Sequence, residues 1–271
     1  MNRLIRSELR KVFTTNTWWL MLLGVVGFTI VALLINVLVV ASATLDGTPE
    51  ASQFGLGKDL SALATYVYTS GQYFGTLFVM LLGALVVTNE YHHQTATPTF
   101  LATPKRLRVI GSKLVTGVGM GVVFGLVTMA IAVPVGALYL SSKGVGTQLD
   151  QPVVLASLGL NLLAYAVWAI FGVGIGTLLR NQIAALVVCL VLKLVAEQAV
   201  GLVLTLLSDK LDQHWIMNLM WALPSQASTV MTTATRIPDA PVWYVGALIL
   251  LAYGLVAGGL GSLITRRRDI T

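Results

Sequence analysis

Long apolar runs separated by short polar connections fill almost the whole chain. Six of the runs reach the roughly 20 residues that a helix needs to cross the bilayer hydrocarbon. They cover 18–41, 66–88, 114–140, 153–179, 183–207 and 242–264. Because lipid offers no hydrogen-bond partner to backbone amides, each run should be helical. The pattern therefore predicts an all-α integral membrane protein, with six transmembrane helices in a single transmembrane domain over residues 1–271.

The composition agrees with lipid as the solvent. Of the 271 residues, 56% are hydrophobic and 10% are charged, whereas about a quarter are charged in a soluble domain. The net charge of +6 could suggest a nucleic-acid partner. Such proteins gather their basic residues on one polar face, however, and here those residues lie between apolar runs. We therefore expect membrane lipid, and no nucleic acid, as a partner.

The polar connections differ in charge. The two ends of the chain and the connections after the second and fourth runs hold twelve basic residues: Arg3, Arg6, Arg10, Lys11, Lys105, Arg106, Arg108, Lys113, Arg180, Arg266, Arg267 and Arg268. The other connections hold four, Lys58, Lys143, Lys210 and Arg236, with most of the acidic residues. By the positive-inside rule, both termini are predicted in the cytoplasm.

The segment 1–17 is basic and amphipathic. Its apolar residues recur at helical spacing, whereas Arg3, Arg6 and Arg10 occupy the other side. The pattern predicts a helix lying in the membrane surface and ending at the interfacial pair Trp18-Trp19. The alternative is a positively charged tail that sets topology without a defined position.

Glycines repeat every four residues in three of the predicted helices. The positions are Gly117, Gly121 and Gly125, then Gly172 and Gly176, then Gly254 and Gly258. Such spacing lets helix backbones approach closely, so a tightly packed bundle is expected.

The connection 89–113 carries two Thr-Pro pairs, Thr97-Pro98 and Thr103-Pro104. In each pair the threonine suits an N-cap and the proline suits the first helical position. The segment between them should form a helix of one to two turns with Phe100 and Leu101 exposed on it. Apolar residues at the tip of a basic loop need a protein surface to cover them.

This connection resembles the loop between the second and third spans of bacterial ABC type-2 (ABC-2) exporter permeases. The similarity lies in the Glu-Tyr start at Glu90, a Thr-x-Thr-Phe-Leu-Ala-x-Pro core at 97–104 and the closing Lys105-Arg106. It extends to the basic N-terminal helix, the six-helix layout, the outer segment 208–240 and the basic C-terminus. The pair His92-His93 departs from the single basic residue usual in that family.

In that family the loop holds a coupling helix that docks on the ATPase subunit. The resemblance implies that the ATPase contact here consists of Glu90, Thr97, Pro98, Thr99, Phe100, Leu101, Pro104, Lys105 and Arg106. It also implies an N-terminal elbow helix at 1–17 and a pair of short re-entrant helices at 208–240, for which a floppy loop is the alternative. The basic, Gly-rich chain looks like an actinobacterial permease, and the resemblance implies a location in a bacterial plasma membrane.

The chain lacks the sequence of a nucleotide site. The nearest stretch, Gly55-Leu56-Gly57-Lys58-Asp59, lacks the hydroxyl residue and the first glycine of a phosphate-binding loop. ATP and Mg²⁺ are therefore expected on a partner ATPase, with no cofactor bound here. No catalytic set is evident. No metal site is expected either, because His92 and His93 point to different helix faces and His214 is predicted across the membrane.

Lys193, Glu197 and Gln198 interrupt the fifth apolar run. A charge at the bilayer centre costs roughly 2.5 to 3.5 kcal/mol, so these side chains should face protein or water. Lys193 and Glu197 are four residues apart and share a helix face, where they can neutralise each other. They could line a substrate path or gate, or they could join helices within one chain or across a dimer interface.

Together these features predict the transmembrane permease subunit of an ATP-driven ABC exporter. The expected partners are two copies of an ABC ATPase subunit and a second permease chain, identical or different. The resemblance implies an amphiphilic or hydrophobic cargo, such as a drug, an antibiotic or a lipid-linked molecule. The alternatives are a membrane scaffold or immunity protein, and a secondary transporter that uses Lys193 and Glu197.

Overall fold

A computed structural model describes residues 2–47, 59–95, 106–179, 181–233 and 241–267. Within these ranges every regular element is a helix. Six helices in the described part are long and apolar enough to cross a membrane. The predicted fold class, an all-α membrane protein with six spans, is thereby confirmed.

The six spans are Thr17–Asp46, Leu60–His92, Arg108–Ser142, Pro152–Leu178, Gln182–Leu211 and Trp243–Gly261, called spans 1 to 6. The helix of span 3 begins at Arg106, and the helix of span 6 continues to Arg267. An N-terminal helix, Asn2–Phe13, precedes span 1. Between spans 5 and 6 lie a 3₁₀ helix, His214–Ala222, and the outer helix, Pro224–Thr232.

Local sequence signals set where several spans begin. The Asp59 side chain accepts hydrogen bonds from the backbone N–H groups of Ser61 and Ala62 and so caps span 2. Pro152 occupies the first turn of span 4, where its missing N–H is not needed. Asn181 caps span 5 by accepting from the backbone N–H of Ala184.

Spans 2 and 4 form the centre of the bundle. In the most apolar stretch of span 2, 78% of the residues are buried within the chain, whereas 17% are buried in the corresponding stretch of span 5. A Cβ on Gly172 of span 4 would lie only 2.0 Å from the Met80 carbonyl oxygen of span 2. One on Gly121 of span 3 would lie 2.7 Å from the Tyr165 carbonyl oxygen of span 4. Glycines therefore let three spans meet backbone to backbone, as their spacing predicts.

Three spans are irregular at positions that the apolar pattern does not reveal. Span 1 contains a π-helical segment at Asn36–Ala41, and span 5 contains another at Leu192–Ala196. Span 2 is broken between Tyr68 and Gln72, where Gly71 has a φ of +83°. The Asn36 side-chain amide donates to the Ser70 hydroxyl at 2.9 Å, so the irregular part of span 1 faces the break in span 2.

Candidate functional site

Four charged side chains meet at the end of the bundle that carries the N-terminal helix. We call Glu8, Lys11, Glu90 and Lys113 the ion cluster. The Lys113 Nζ lies 2.7 Å from Glu8 Oε2 and 2.9 Å from Glu90 Oε1. The Lys11 Nζ lies 2.7 Å from Glu8 Oε1 and 2.5 Å from Glu90 Oε1. Each lysine thus bridges both carboxylates.

Most of the ion cluster is removed from solvent. Glu8, Glu90 and Lys113 are 3%, 4% and 2% exposed, and Lys113 also donates to the Val86 carbonyl oxygen at 3.0 Å. Two positive and two negative charges balance, which offsets the cost of burying them. Burial alone would lower the pKa of Lys11, but its hydrogen bonds to Glu8 and Glu90, together with the attraction of their charges, outweigh burial and raise the pKa. Lys11 therefore stays charged at neutral pH.

The ion cluster joins three elements. Glu8 and Lys11 lie three residues apart on one face of the N-terminal helix, Glu90 lies in the last turn of span 2, and Lys113 lies near the start of span 3. Arg3, on the other side of the N-terminal helix, is exposed. The N-terminal helix therefore has a defined position against spans 2 and 3. Its location in a membrane surface stays a prediction.

Lys193 occupies a second polar site, deep in the bundle. It is 1% exposed, and its Nζ donates to the Thr76 hydroxyl at 2.8 Å and lies 3.3 Å from the centroid of the Trp168 ring. The Tyr73 hydroxyl donates to the Lys193 backbone carbonyl at 2.9 Å. Lys193 belongs to the π-helical segment of span 5, so this residue ties that segment to spans 2 and 4.

Glu197 points to a different partner. Its Oε2 accepts a hydrogen bond of 3.0 Å from the backbone N–H of Ser225, in the first turn of the outer helix. The ion pairs in the described part of the chain all belong to the ion cluster, and none joins Lys193 to Glu197. The expected mutual contact of these two side chains is replaced by two separate contacts. Gln198 is exposed, and its side chain is hydrogen-bonded to Tyr73 of span 2.

Lys193 and Glu197 line one cavity of about 180 Å³. Spans 2, 4, 5 and 6 and the start of the outer helix surround it, and most of its wall is apolar, with Trp168, Phe171 and Tyr253 as its aromatic residues. Within one chain, both side chains therefore contact other helices and also face an open space.

A family model described as "ABC-2 family transporter protein" matches residues 4–196. The chain belongs to the ABC-2 family. The match spans the N-terminal helix, the whole ion cluster and Lys193. No curated protein matches the chain. Membership makes it a multi-pass membrane component of an ABC transporter, of a kind that is not itself catalytic.

The predicted coupling helix of this ABC-2 permease lies mostly outside the described residues. This applies to Thr97, Pro98, Thr99, Phe100, Leu101, Pro104 and Lys105. Arg106 begins the helix of span 3, and its side chain is likewise outside the description. Glu90 is described and its carboxylate is buried in the ion cluster, so any effect of Glu90 on an ATPase contact passes through the elements that it joins.

Sequence reasoning missed Glu8, Lys11 and Lys113 as partners of Glu90. One signal was present: Glu8 is the single acidic residue in a strongly basic N-terminal segment. Its position three residues before Lys11 marks a helix face on which an ion pair forms. The distant partner, Lys113, looked like one more basic residue of a cytoplasmic loop.

Proposed function

We propose that this ABC-2 permease is the transmembrane subunit of an ATP-driven exporter. Two copies of an ABC ATPase subunit supply ATP hydrolysis and hold ATP and Mg²⁺. A second permease chain, identical or different, completes the transporter. The observation that carries the proposal is the ion cluster, which fixes both ends of the connection 89–113 to the N-terminal helix.

The ion cluster supports a mechanical role for this connection. Glu90 stands at its start and Lys113 at its end, and the two side chains contact each other. Movement of the coupling helix by the closing ATPase subunits therefore reaches spans 2 and 3 together. Glu8 passes the same movement to the N-terminal helix. A buried ion pair suits this task because separating its charges is costly, so the joined helices move as one.

The proposed orientation in a bacterial plasma membrane is compatible with export. The excess of basic residues in the connections supports a cytoplasmic location of the ion cluster and of both termini. Cargo then enters from the inner leaflet or the cytoplasm and leaves outside. The cargo is an amphiphilic or hydrophobic molecule, in the class of drugs, antibiotics or lipid-linked compounds.

The surface of the bundle offers room for a second permease chain. Spans 1 and 5 expose large apolar side chains along most of their length, including Leu23, Leu38, Val195 and Leu202. Lipid covers such a surface equally well. The proposed dimer is therefore supported by family membership and by these two exposed spans together.

Copurification of an ATPase tests the proposal. The chain is extracted from its native membrane in mild detergent, and associated proteins are identified with and without the double substitution Phe100→Asp/Leu101→Asp. We expect an ABC ATPase with the unaltered chain and at least a tenfold loss with the double variant. The matched control, Leu211→Asp/Val242→Asp, alters two exposed apolar residues beside connections at the opposite end of the bundle and should retain the ATPase.

Two outcomes contradict the exporter. One is the absence of any ATPase from the unaltered complex. The other is an ATPase that stays bound to a folded double variant, as judged by gel filtration. Either result would favour a membrane scaffold or immunity protein, or a secondary transporter.

A further inference from the structure

Among the described residues, two lysines are almost completely buried, and their surroundings differ. Lys113 contacts two carboxylates and a backbone carbonyl. Lys193 donates to one hydroxyl, that of Thr76, and lies against the face of Trp168. An ammonium group has three N–H donors. The face of an aromatic ring attracts its positive charge but does not accept a directed hydrogen bond from every donor. Among the described residues, Lys193 therefore has N–H donors left for an anion, whereas Lys113 already contacts two carboxylates.

The nearest acidic residue, Glu197, attracts Lys193 through space but makes no direct ion pair with it. Glu197 is held by the backbone N–H of Ser225, and no ion pair forms between Glu197 and Lys193 among the described residues. A buried cation without a carboxylate contact is rare inside a membrane and marks a functional position.

The cavity beside Lys193 has the surface of a site for an amphiphile. Apart from Lys193 and Glu197, its wall is apolar, and Trp168, Phe171 and Tyr253 supply flat faces. Its volume of about 180 Å³ is below the range of about 300 to 1,000 Å³ typical of sites for drug-sized ligands. It therefore suits a slender, single-chain body rather than a bulky ring system.

We propose that Lys193 binds the anionic head group of a single-chain amphiphile whose apolar body lies along Trp168, Phe171 and Tyr253. A carboxylate fits best, because one small planar anion accepts from the ammonium group while the chain fills the apolar space. The inference rests on the proposed function and narrows its cargo to acidic amphiphiles.

The proposal predicts how removing the charge of Glu197 changes ligand binding. Its carboxylate lines the same cavity and repels a bound anion. Removing that charge by Glu197→Gln keeps an oxygen that can accept from Ser225, so the outer helix stays in place. An anionic ligand then binds as well or more tightly, whereas a cationic ligand that uses Glu197 binds less well.

Photolabelling of the purified chain in proteoliposomes tests the site without an ATPase or nucleotide. Three diazirine probes of equal chain length are compared: an octanoic acid, an octanol and an octylamine. Mass spectrometry then locates the label. We expect the acid to label peptides containing Trp168, Phe171 or Tyr253 at least fivefold more than the alcohol or the amine. Unlabelled octanoate, but not octanol, should compete.

Variants assign the effect to Lys193. Lys193→Met should remove the preference for the acid, and Glu197→Gln should preserve or increase it. The control Lys143→Met, at an exposed lysine in the connection after span 3, should change nothing. Competition in the unaltered chain decides the question even if Lys193→Met fails to fold.

The proposal is overturned if acid and alcohol label equally, if the amine is preferred, or if folded Lys193→Met retains the preference for the acid. Each of these results would leave Lys193 as a contact between spans only. Because no ATPase takes part, failure here leaves the exporter intact, and failure of the copurification leaves this result unaffected.

Discussion

Lys113 shows how much a single buried side chain contributes at the N-terminal end of the bundle. It contacts Glu8 of the N-terminal helix, Glu90 of span 2 and the Val86 carbonyl oxygen. Glu8 and Glu90 are buried with it, so removing the ammonium group would leave two buried carboxylates with less compensating charge. The stability of three elements therefore depends on one residue.

Replacing Lys113 with methionine should destabilise the chain by about 3 to 5 kcal/mol, because two buried carboxylates would be left with Lys11 alone. Lys143→Met, at an exposed lysine, should change stability by less than about 0.5 kcal/mol. Denaturant unfolding in detergent micelles measures both. Equal stability of the two variants would show that the ion cluster contributes nothing.

Glycine-to-alanine substitutions separate close packing from helix propensity within span 4. Gly172→Ala should cost about 1 to 3 kcal/mol, because the new methyl group would meet the Met80 carbonyl and force spans 2 and 4 apart. Gly159→Ala, where a Cβ meets nothing within 4 Å, should stabilise the chain by up to about 1 kcal/mol. Thermal unfolding of both variants should give shifts of opposite sign.

Sequence reasoning located polar residues better than it located their partners. Lys193 and Glu197 stand out because charge is expensive within an apolar run. The partner of Lys193, Thr76, lies on another span and has an ordinary sequence context. Helical spacing also suggested that Lys193 and Glu197 would meet, but that spacing assumes an α-helix, and Lys193 lies in a π-helical segment.

At the level of elements, the outer helix depends on a contact that the sequence does not show. Pro224 occupies the first position of the outer helix, where proline is favourable. The Glu197 carboxylate of span 5 accepts a hydrogen bond from the backbone N–H of Ser225. A carboxylate there also suits the positive end of the helix dipole. The hydrogen bond between Ser225 and Glu197 thus joins the outer helix to span 5.

Replacing Glu197 with alanine should loosen the start of the outer helix. A lost cap costs about 0.5 to 2 kcal/mol, which corresponds to a roughly 2- to 30-fold larger opening equilibrium. Amide hydrogen exchange over Ala227–Thr232 should accelerate accordingly, whereas Glu197→Gln should change it little. Unchanged exchange in the alanine variant would show that Pro224 and packing alone fix the helix.

In the outer segment, the sequence predicted helical structure more securely than the position of the helices in the membrane. Residues 208–240 were expected to form two short re-entrant helices, and the structure has a 3₁₀ helix at His214–Ala222 and the outer helix at Pro224–Thr232. Residues 234–240 lie outside the description. Helical structure follows from local signals such as Pro224, whereas entry into the outer leaflet stays a prediction.

At the level of the whole molecule, six spans were predictable because length and hydropathy are local properties. The arrangement of those spans was not. The central position of spans 2 and 4 depends on which glycines face each other, and no single run reveals its neighbour. The orientation in the membrane and the actinobacterial origin likewise stay predictions.

Cysteine accessibility tests that orientation. The native Cys189 is buried and can be replaced by alanine, so an introduced cysteine can be labelled alone. A membrane-impermeant maleimide applied to intact cells should label Asp212→Cys strongly. It should label Ser7→Cys only after lysis, because the positive-inside rule places the N-terminal helix in the cytoplasm. The reverse pattern would put the connection 89–113 outside the cell, where a cytoplasmic ATPase could not reach it, and would contradict the exporter.

The π-helical segment Leu192–Ala196 preserves the rotational phase of span 5. A π-bulge accommodates one extra residue within an α-helix, and each α-helical residue advances the chain by about 100°. Because the wider turn takes up that extra residue, the helix after the segment keeps the faces it would have in an unbroken α-helix. Deleting one residue from the segment should therefore leave Glu197 on Ser225 and Gly201 buried. Inserting one residue between Ala196 and Glu197 would instead rotate both away by about 100°. Span 5 can thus change its length at this segment without changing which residues it presents to its neighbours.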